Sequence, residues 1–195
     1  ANFVGTLHVF RDVTMERGFQ ARLKTIAYTD QLTGLYTRRY LYENVKPNMS
    51  SDSISLLYID LDNFKLINDS YGHHFGDKIL KKTGKLLQTL CPDDICVRMG
   101  GDEFLIAIIG QTSIEELTEK ANGIIRSLKN HFPGTALLQP LSVSIGIANM
   151  PGGSNVKLDE LLRKSDMALY QAKNCGKQQC VVYTLDLENL LKFNP

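Results

Sequence analysis

Neither sign of charge is in excess in this 195-residue chain: 22 Lys and Arg stand against 21 Asp and Glu, a net charge of +1. Such balance offers no broad basic surface and argues against a nucleic-acid or membrane-surface partner. No apolar run is long enough to cross a bilayer, and no basic stretch followed by an apolar run opens the chain, so no signal peptide is visible. Internal repeats and low-complexity tracts are missing as well. Cysteine is scarce, at four. Cys91/Cys96 and Cys175/Cys180 each enclose four residues, a spacing zinc ligands tolerate. Neither pair carries the turn chemistry of a zinc knuckle, and Cys96 and Cys180 fall in strand-like runs where Cys is a small apolar residue. Reduced structural thiols, no zinc and a cytoplasmic setting are the expectation.

What is present is an ordinary globular composition, 43% hydrophobic, over a length that suits one domain plus extra segments. The chain starts at Ala1 in mid-pattern, which reads as a piece of a longer protein. "FVGTLHVFR" alternates like a strand. "MERGFQARLKTIAY" is a charged helical stretch with Leu23, Ile26 and Ala27 on one face and Asp12 or Thr14 as its cap. A lone strand cannot fold. Residues 1–12 are therefore expected to be the last strand of a truncated domain, 13–28 a linker helix, 29–185 the main domain and 186–195 a tail.

In the main domain, "DQLTGLYTRRYLYENV" reads as a turn at Gly34 and then a helix. "SISLLYIDLD" is a strand ending in Asp60 and Asp62, which are expected on opposite faces. Phe75 to Leu90 form an amphipathic helix, and Ile95 to Ile109 a hairpin turning at Gly100-Gly101. A helix follows with Ser113 as N-cap and Glu116 at capping-box spacing. "LSVSIGIAN" is a strand, the next helix closes at Gly176, and "QCVVYT" is a last strand. Strands alternate with helices, but one strand pair is a hairpin. The expected fold is an α/β (α+β) sandwich, a mixed central sheet with flanking helices.

Two acidic stretches carry the chemistry. In "RMGGDEFLI", Asp102 and Glu103 sit at the hairpin tip, where acids can simply be solvated. "YIDLDNFKLINDSYGHHFGD" opens like a calcium loop, but Phe64, Lys65 and Tyr71 fall where that loop needs a ligand, Gly and Glu. Asp60 would converge with Asp102 and Glu103 if their strands are neighbours, supplying the few carboxylates that Mg²⁺ takes beside phosphate oxygens. Asn68 and Asp77 suit a guanine edge, whose N1–H and N2–H₂ an Asp accepts; adenine lacks those donors and would leave the acid unpaired. Each of the two is alternatively a cap or turn residue. Lys173 and Lys177 would share a helix face near its C-terminus, binding phosphate or complementing the helix dipole. His73 and His74 are adjacent, point differently and make a poor chelating pair.

Together "DQLTGLYTRR", "YIDLDNFKLINDSYGHHFGD", "RMGGDEF", "SVSIGIA" and "YQAKNCGKQQ" resemble, in order and spacing, the GGDEF domain of diguanylate cyclases, over roughly Thr29 to Thr184. The upstream "GTLHVFRDVTMERGFQARL" is similar to the end of a PAS sensor domain and its signalling helix. The resemblance implies a palm-type nucleotidyl-cyclase fold and condensation of two GTP into cyclic di-GMP by a homodimer whose half-sites face each other. It implies two Mg²⁺ or Mn²⁺ ions per active site, held by Asp60, Asp102, the Leu61 carbonyl and Glu103. Glu103 or Asp102 would also help deprotonate the 3′-hydroxyl. Asn68 and Asp77 would read guanine. The Phe64 and Lys65 amides, with Lys173 and Lys177, would hold phosphates, and Gly100 and Gly101 would let the backbone approach the nucleotide.

Departures from the family pattern are few. Cys91 and Asp94 occupy its Arg-x-x-Asp product-inhibition site, so the arginine is missing and Asp94 is a remnant. Lys177 replaces the usual Arg, keeping charge but losing bidentate geometry. Thr37 stands where Asn is usual. Two other readings remain open: a silent GTP-binding domain that regulates a neighbouring domain, and a nucleotide cyclase for another base.

Overall fold

A computed structural model describes residues 23–45, 53–132, 141–152 and 157–193. The strand expected over 1–12 and the first part of the linker helix lie outside the described residues. Residues 23–28 are helical, with Leu23 and Ile26 exposed.

Six strands form one mixed sheet in the order β1-β3-β4-β2-β5-β6. They are β1 (Tyr36–Thr37), β2 (Ile54–Leu61), β3 (Ile95–Gly100), β4 (Glu103–Ile109), β5 (Val143–Met150) and β6 (Cys180–Val182). β2 is flanked by antiparallel β4 and β5, while β1 and β6 pair in parallel at the edges. A strand enclosed on both sides and both faces must be apolar nearly throughout, which is why "ISLLYIDL" lacks clean alternation. The helices are α1 (Arg38–Tyr40), α2 (Phe64–Tyr71), α3 (His73–Leu90), α4 (Ile114–His131), α5 (Leu158–Asn174) and α6 (Leu185–Phe193). The expected α/β sandwich is therefore present.

The pleat sends alternate β2 side chains into two cores. Leu57, Ile59 and Leu61 pack with residues of α3 and α4 such as Ile79, Leu87, Leu117 and Leu128. Ile54 and Leu56 pack with Leu158, Leu161 and Leu162 of α5. Each fully buried aliphatic side chain is worth about 1.5–3 kcal/mol relative to exposure. α5 can lie close on β5 because Gly146 has no Cβ; one there would sit 2.9 Å from Leu169 Cα and closer still to the Ser165 carbonyl oxygen.

Several local expectations change. "RRYLYENV" is not one helix: after α1 the chain forms a π turn over Leu41–Val45. α3 starts at His73, two residues before the expected Phe75, because Gly72 at φ 81° breaks the chain there. A separate helix, α2, precedes it. The segment assigned to a tail forms α6. Ser113 caps α4 as expected: its Oγ accepts from the Glu116 N–H at 3.2 Å, and Glu116 Oε2 accepts from the Ser113 N–H at 2.8 Å. Among the described residues no helix is long and apolar enough to cross a membrane.

Candidate functional site

The β2–β4 register sets Asp60 directly opposite Glu103. Antiparallel partners in neighbouring strands share a face, and here that face lies under α5. The hairpin before β4 brings in Asp102. Its turn needs Gly101 at φ 52° and Gly100 at φ 148°, and a register shift between Arg98 and Gly100 marks a bulge. The Asp102 carbonyl accepts a 3.4 Å hydrogen bond from the Leu61 N–H, fastening the tip to the end of β2. Asp60, Asp102 and Glu103 are thus near one another because β2 and β4 are neighbours, with Asp102 and Glu103 both acting electrostatically on Asp60.

Electrostatics mark Asp60 as the group under most pressure. Burial pushes its pKa up, and although Lys173 Nζ at 2.8 Å opposes this, Asp102 and Glu103 add to it, so the value reaches about 6. A buried carboxylate crowded by two others gains from a cation. Its hard oxygen donors fit a small divalent ion that takes a few carboxylates and completes its shell with phosphate and water. Among the described residues no group of three or more His, Cys, Asp or Glu side chains is arranged to hold a metal ion. Asp60 instead engages Lys173, and Glu103 Oε2 accepts from the Tyr58 hydroxyl at 3.2 Å. Burial and the nearby Glu103 push the Tyr58 hydroxyl's pKa well up, keeping it a donor.

Asp62 behaves differently. Residues two apart in a strand share a face, so the expected separation of Asp60 and Asp62 by alternation is incorrect. What divides them is their neighbours: Asp62 accepts from Ser142 Oγ and Ser144 Oγ, both at 2.7 Å, and from the Gln178 N–H at 3.2 Å.

Beside these acids begins α2. Asn63 precedes it at φ 59° and makes no side-chain cap, leaving the first N–H groups, including those of Phe64 and Lys65, at an open helix end. Asn63 Oδ1 accepts instead from Lys177 Nζ at 2.7 Å. Lys177 is not on the face of α5 expected for it. That helix ends at Asn174, and Lys177 lies past the end at φ 64°. Lys173 and Lys177 still reach the same corner, one on Asp60 and the other on Asn63.

Asn68 on α2 faces Gly76 on α3, with Asp77 next along that helix. Asn68 Oδ1 is buried and has no hydrogen-bond partner. A Cβ at residue 76 would collide with that oxygen and come within 3.1 Å of Phe64 Cζ. An orphaned buried acceptor costs free energy unless something bonds to it, so this cradle is suited to a donor-bearing ligand. His73 and His74 are exposed beside it.

Away from this corner, Cys91 is buried at the end of α3 and Asp94 is ion-paired to Lys120 of α4. All four cysteines are free thiols; burial pushes Cys91 up to about 11 and Cys96 up to about 12. The Arg98 guanidinium binds both oxygens of Asp30, at 3.1 and 3.2 Å, and the Gly101 carbonyl at 2.8 Å. It thereby ties the "DQLTG" turn to the hairpin. Sequence reasoning missed Tyr58, Asp62 and Arg98 as shapers of the site. Only Tyr58 had a legible signal, since it shares the strand face of Asp60.

A family model described as the diguanylate cyclase GGDEF domain matches residues 27–179. The cyclic di-GMP phosphodiesterase PdeR of Escherichia coli is 36% identical over 181 residues, covering 90% of this chain and 27% of that protein. A diguanylate cyclase of Vibrio cholerae is 32% identical over 191 residues, covering 95% of this chain and 59% of that one. This chain thus spans less than two thirds of either relative. The coiled coil and GGDEF domain of DgcB from Caulobacter crescentus, solved in complex with c-di-GMP, superposes with a TM-score of 0.79 at 21% identity over 88% of this chain and 93% of that one, a likeness of fold.

Proposed function

The chain belongs to the GGDEF family of diguanylate cyclase domains, and on that premise we propose that it condenses two GTP into cyclic di-GMP. The observation that carries this reading is the register that sets Asp60 against Glu103 beside the uncapped start of α2, with the orphaned Asn68 oxygen one helix face away. The 3′-hydroxyl of each GTP attacks the α-phosphorus of the other. Each new P–O bond forms as the bond to pyrophosphate breaks, so two pyrophosphates leave.

The roles follow from position. Asn68 and Asp77 bind the guanine edge, accepting its N1–H and N2–H₂. The Phe64 and Lys65 amides donate to phosphate oxygens at the helix start, and Lys173 and Lys177 add positive charge there. Lys173 is 35% exposed in its side chain, free enough to exchange Asp60 for a phosphate. Gly100 and Gly101 let the hairpin backbone approach the nucleotide. Asp60, Asp102, the Leu61 carbonyl and Glu103 would hold two divalent ions, Mg²⁺ or Mn²⁺; when bound, such ions lower a hydroxyl's pKa and offset charge on the triphosphate. Asp102 or Glu103 takes the 3′-hydroxyl proton.

One domain holds one GTP, so two domains must face each other, and pairing two held substrates supplies much of the rate. Residues 23–28 leave Leu23 and Ile26 exposed and are one means of pairing. With Cys91 buried and Asp94 occupied by Lys120, the product-inhibition site offers product no arginine and no free carboxylate. The upstream segment is a sensor's end that sets the pairing, in a cytoplasmic setting.

A second reading, a silent GTP-binding domain governing a neighbour, is favoured by one finding: the 36% identical relative is named a phosphodiesterase. Asp102→Ala separates it from the first. If this chain is a cyclase, the folded variant loses cyclic di-GMP formation; near-normal formation sinks the assignment of Asp102. No product from the unaltered chain, with GTP still bound, favours the regulatory reading.

A further inference from the structure

We infer that Asp62 is a positioning residue for the phosphate corner: it holds the loop after α5 in the strained conformation that brings Lys177 to the start of α2. The inference rests on the reading of Lys177 as a phosphate ligand and assigns a role to a residue that touches no substrate.

The strain is local and visible. Lys177 and Gln178 are consecutive non-glycine residues in the left-handed region, at φ 64° and φ 50°. Side chains there crowd the backbone, and such residues persist only where surroundings over-determine them. Three attachments surround this pair. The Lys177 N–H donates to the Ala172 carbonyl at 3.0 Å, continuing the helix end. The Gln179 side chain donates to the carbonyls of Ala172 at 3.1 Å and Cys175 at 2.7 Å. The Gln178 N–H donates to Asp62 Oδ2 at 3.2 Å. The first two tie the loop to its own helix. The third ties it to the sheet, and so fixes where the loop stands relative to α2.

Asp62 is itself rigidly held. It is 4% exposed, and the hydroxyls of Ser142, just before β5, and Ser144, within it, grip its two oxygens. Its own N–H donates to the Ser142 carbonyl at 2.9 Å. A carboxylate buried among three neutral donors is a costly group to keep for shape alone, because an apolar residue of similar size would avoid the desolvation. Its neighbour Asn63 receives Lys177 Nζ at 2.7 Å. The two residues joining β2 to α2 therefore hold the loop at two points, Asp62 by its backbone and Asn63 by its lysine.

The test is a double-mutant cycle between Asp62→Asn and Lys177→Ala in the 195-residue chain. Binding is read for a GTP analogue with an α,β-methylene bridge, which resists turnover, and for guanosine, which has no phosphate; melting is recorded alongside. Asp62→Asn is expected to weaken the analogue about tenfold, the scale of one charge-assisted contact, while guanosine changes less than about twofold. The double variant should bind the analogue no worse than Lys177→Ala, because a misplaced lysine has nothing left to lose. Should Asp62→Asn fail to fold, Ser142→Ala carries the test, weakening the analogue about threefold by loosening the carboxylate without removing it. Wild-type analogue affinity in the folded Asp62→Asn variant, or in Ser142→Ala, overturns the inference, as do penalties that multiply in the double variant. Unchanged analogue affinity in Lys177→Ala removes the phosphate reading of that lysine, and the inference with it.

Discussion

Gly76→Ala separates binding from folding at the guanine cradle. Residue 76 lies inside α3 with ordinary helical backbone, so alanine should favour the helix by about 1 kcal/mol. Against this, the added methyl would overlap Asn68 Oδ1 and approach Asn68 Cγ to 3.0 Å and Phe64 Cζ to 3.1 Å. The crowded oxygen is the far end of a side chain, so a rotation about χ relieves the clash at about 0.5–1.5 kcal/mol. The two effects nearly cancel, and the melting temperature should move by less than about 4 °C. Binding should not escape. Asn68, turned away, loses the hydrogen bonds it would make to guanine. Two such bonds at about 0.5–1.5 kcal/mol each amount to about 1–3 kcal/mol, or roughly fivefold to 150-fold in affinity. Calorimetric titration with guanosine and with the methylene-bridged GTP analogue reads the effect. Both ligands should weaken together, since the base is what is lost, unlike the phosphate-only effect expected of Asp62→Asn. A folded Gly76→Ala protein with wild-type guanosine affinity would refute the placement of guanine at Asn68.

Two further outcomes concern stability. Gly146→Ala meets the α5 backbone, with Leu169 Cα 2.9 Å from the new Cβ; a backbone cannot rotate away, so a loss of about 1–3 kcal/mol and a melting point lower by about 2–12 °C are expected, and an unchanged melting curve would contradict the packing. At Asp30 burial pushes the carboxyl pKa up, but the Thr33 hydroxyl and N–H and the Arg98 guanidinium outweigh it and hold it below the ordinary Asp value. A depressed pKa gives stability that is present above the unfolded-state value and lost as pH falls through the folded one. Asp30→Asn should thus cost stability at neutral pH and little in acid; a urea-midpoint difference from wild type that is the same at about pH 7 and about pH 3 would refute it.

Much of this architecture is legible in the sequence because one local signal dominates each element. The apolar run of β2, the glycine pair of the β3–β4 hairpin and the Ser113–Glu116 box of α4 each specify their structure without help. The parts that were not legible depend on residues distant in sequence or on backbone geometry. α2 opens at an Asn in the left-handed region with no side-chain cap, so no start signal precedes it. The helical period suggests that Lys173 and Lys177 share a face, but α5 stops at Asn174 and only tertiary bonds carry Lys177 to Asn63. Arg98 and Asp30 are 68 residues apart, and nothing in either segment announces their pairing. At the candidate site, the convergence of Asp60 with the hairpin acids was legible on the condition that β2 and β4 pair. The role of Asp62 was not, because its partners come from the start of β5, the residue before it and the loop after α5.

Whether the chain is a cyclase is decided by incubating it with GTP and Mg²⁺ over a range of protein concentrations and separating the nucleotides by chromatography. Cyclic di-GMP is expected, with a specific rate that rises with concentration because two domains must meet. GTP that binds yet yields no cyclic di-GMP at any concentration would contradict it.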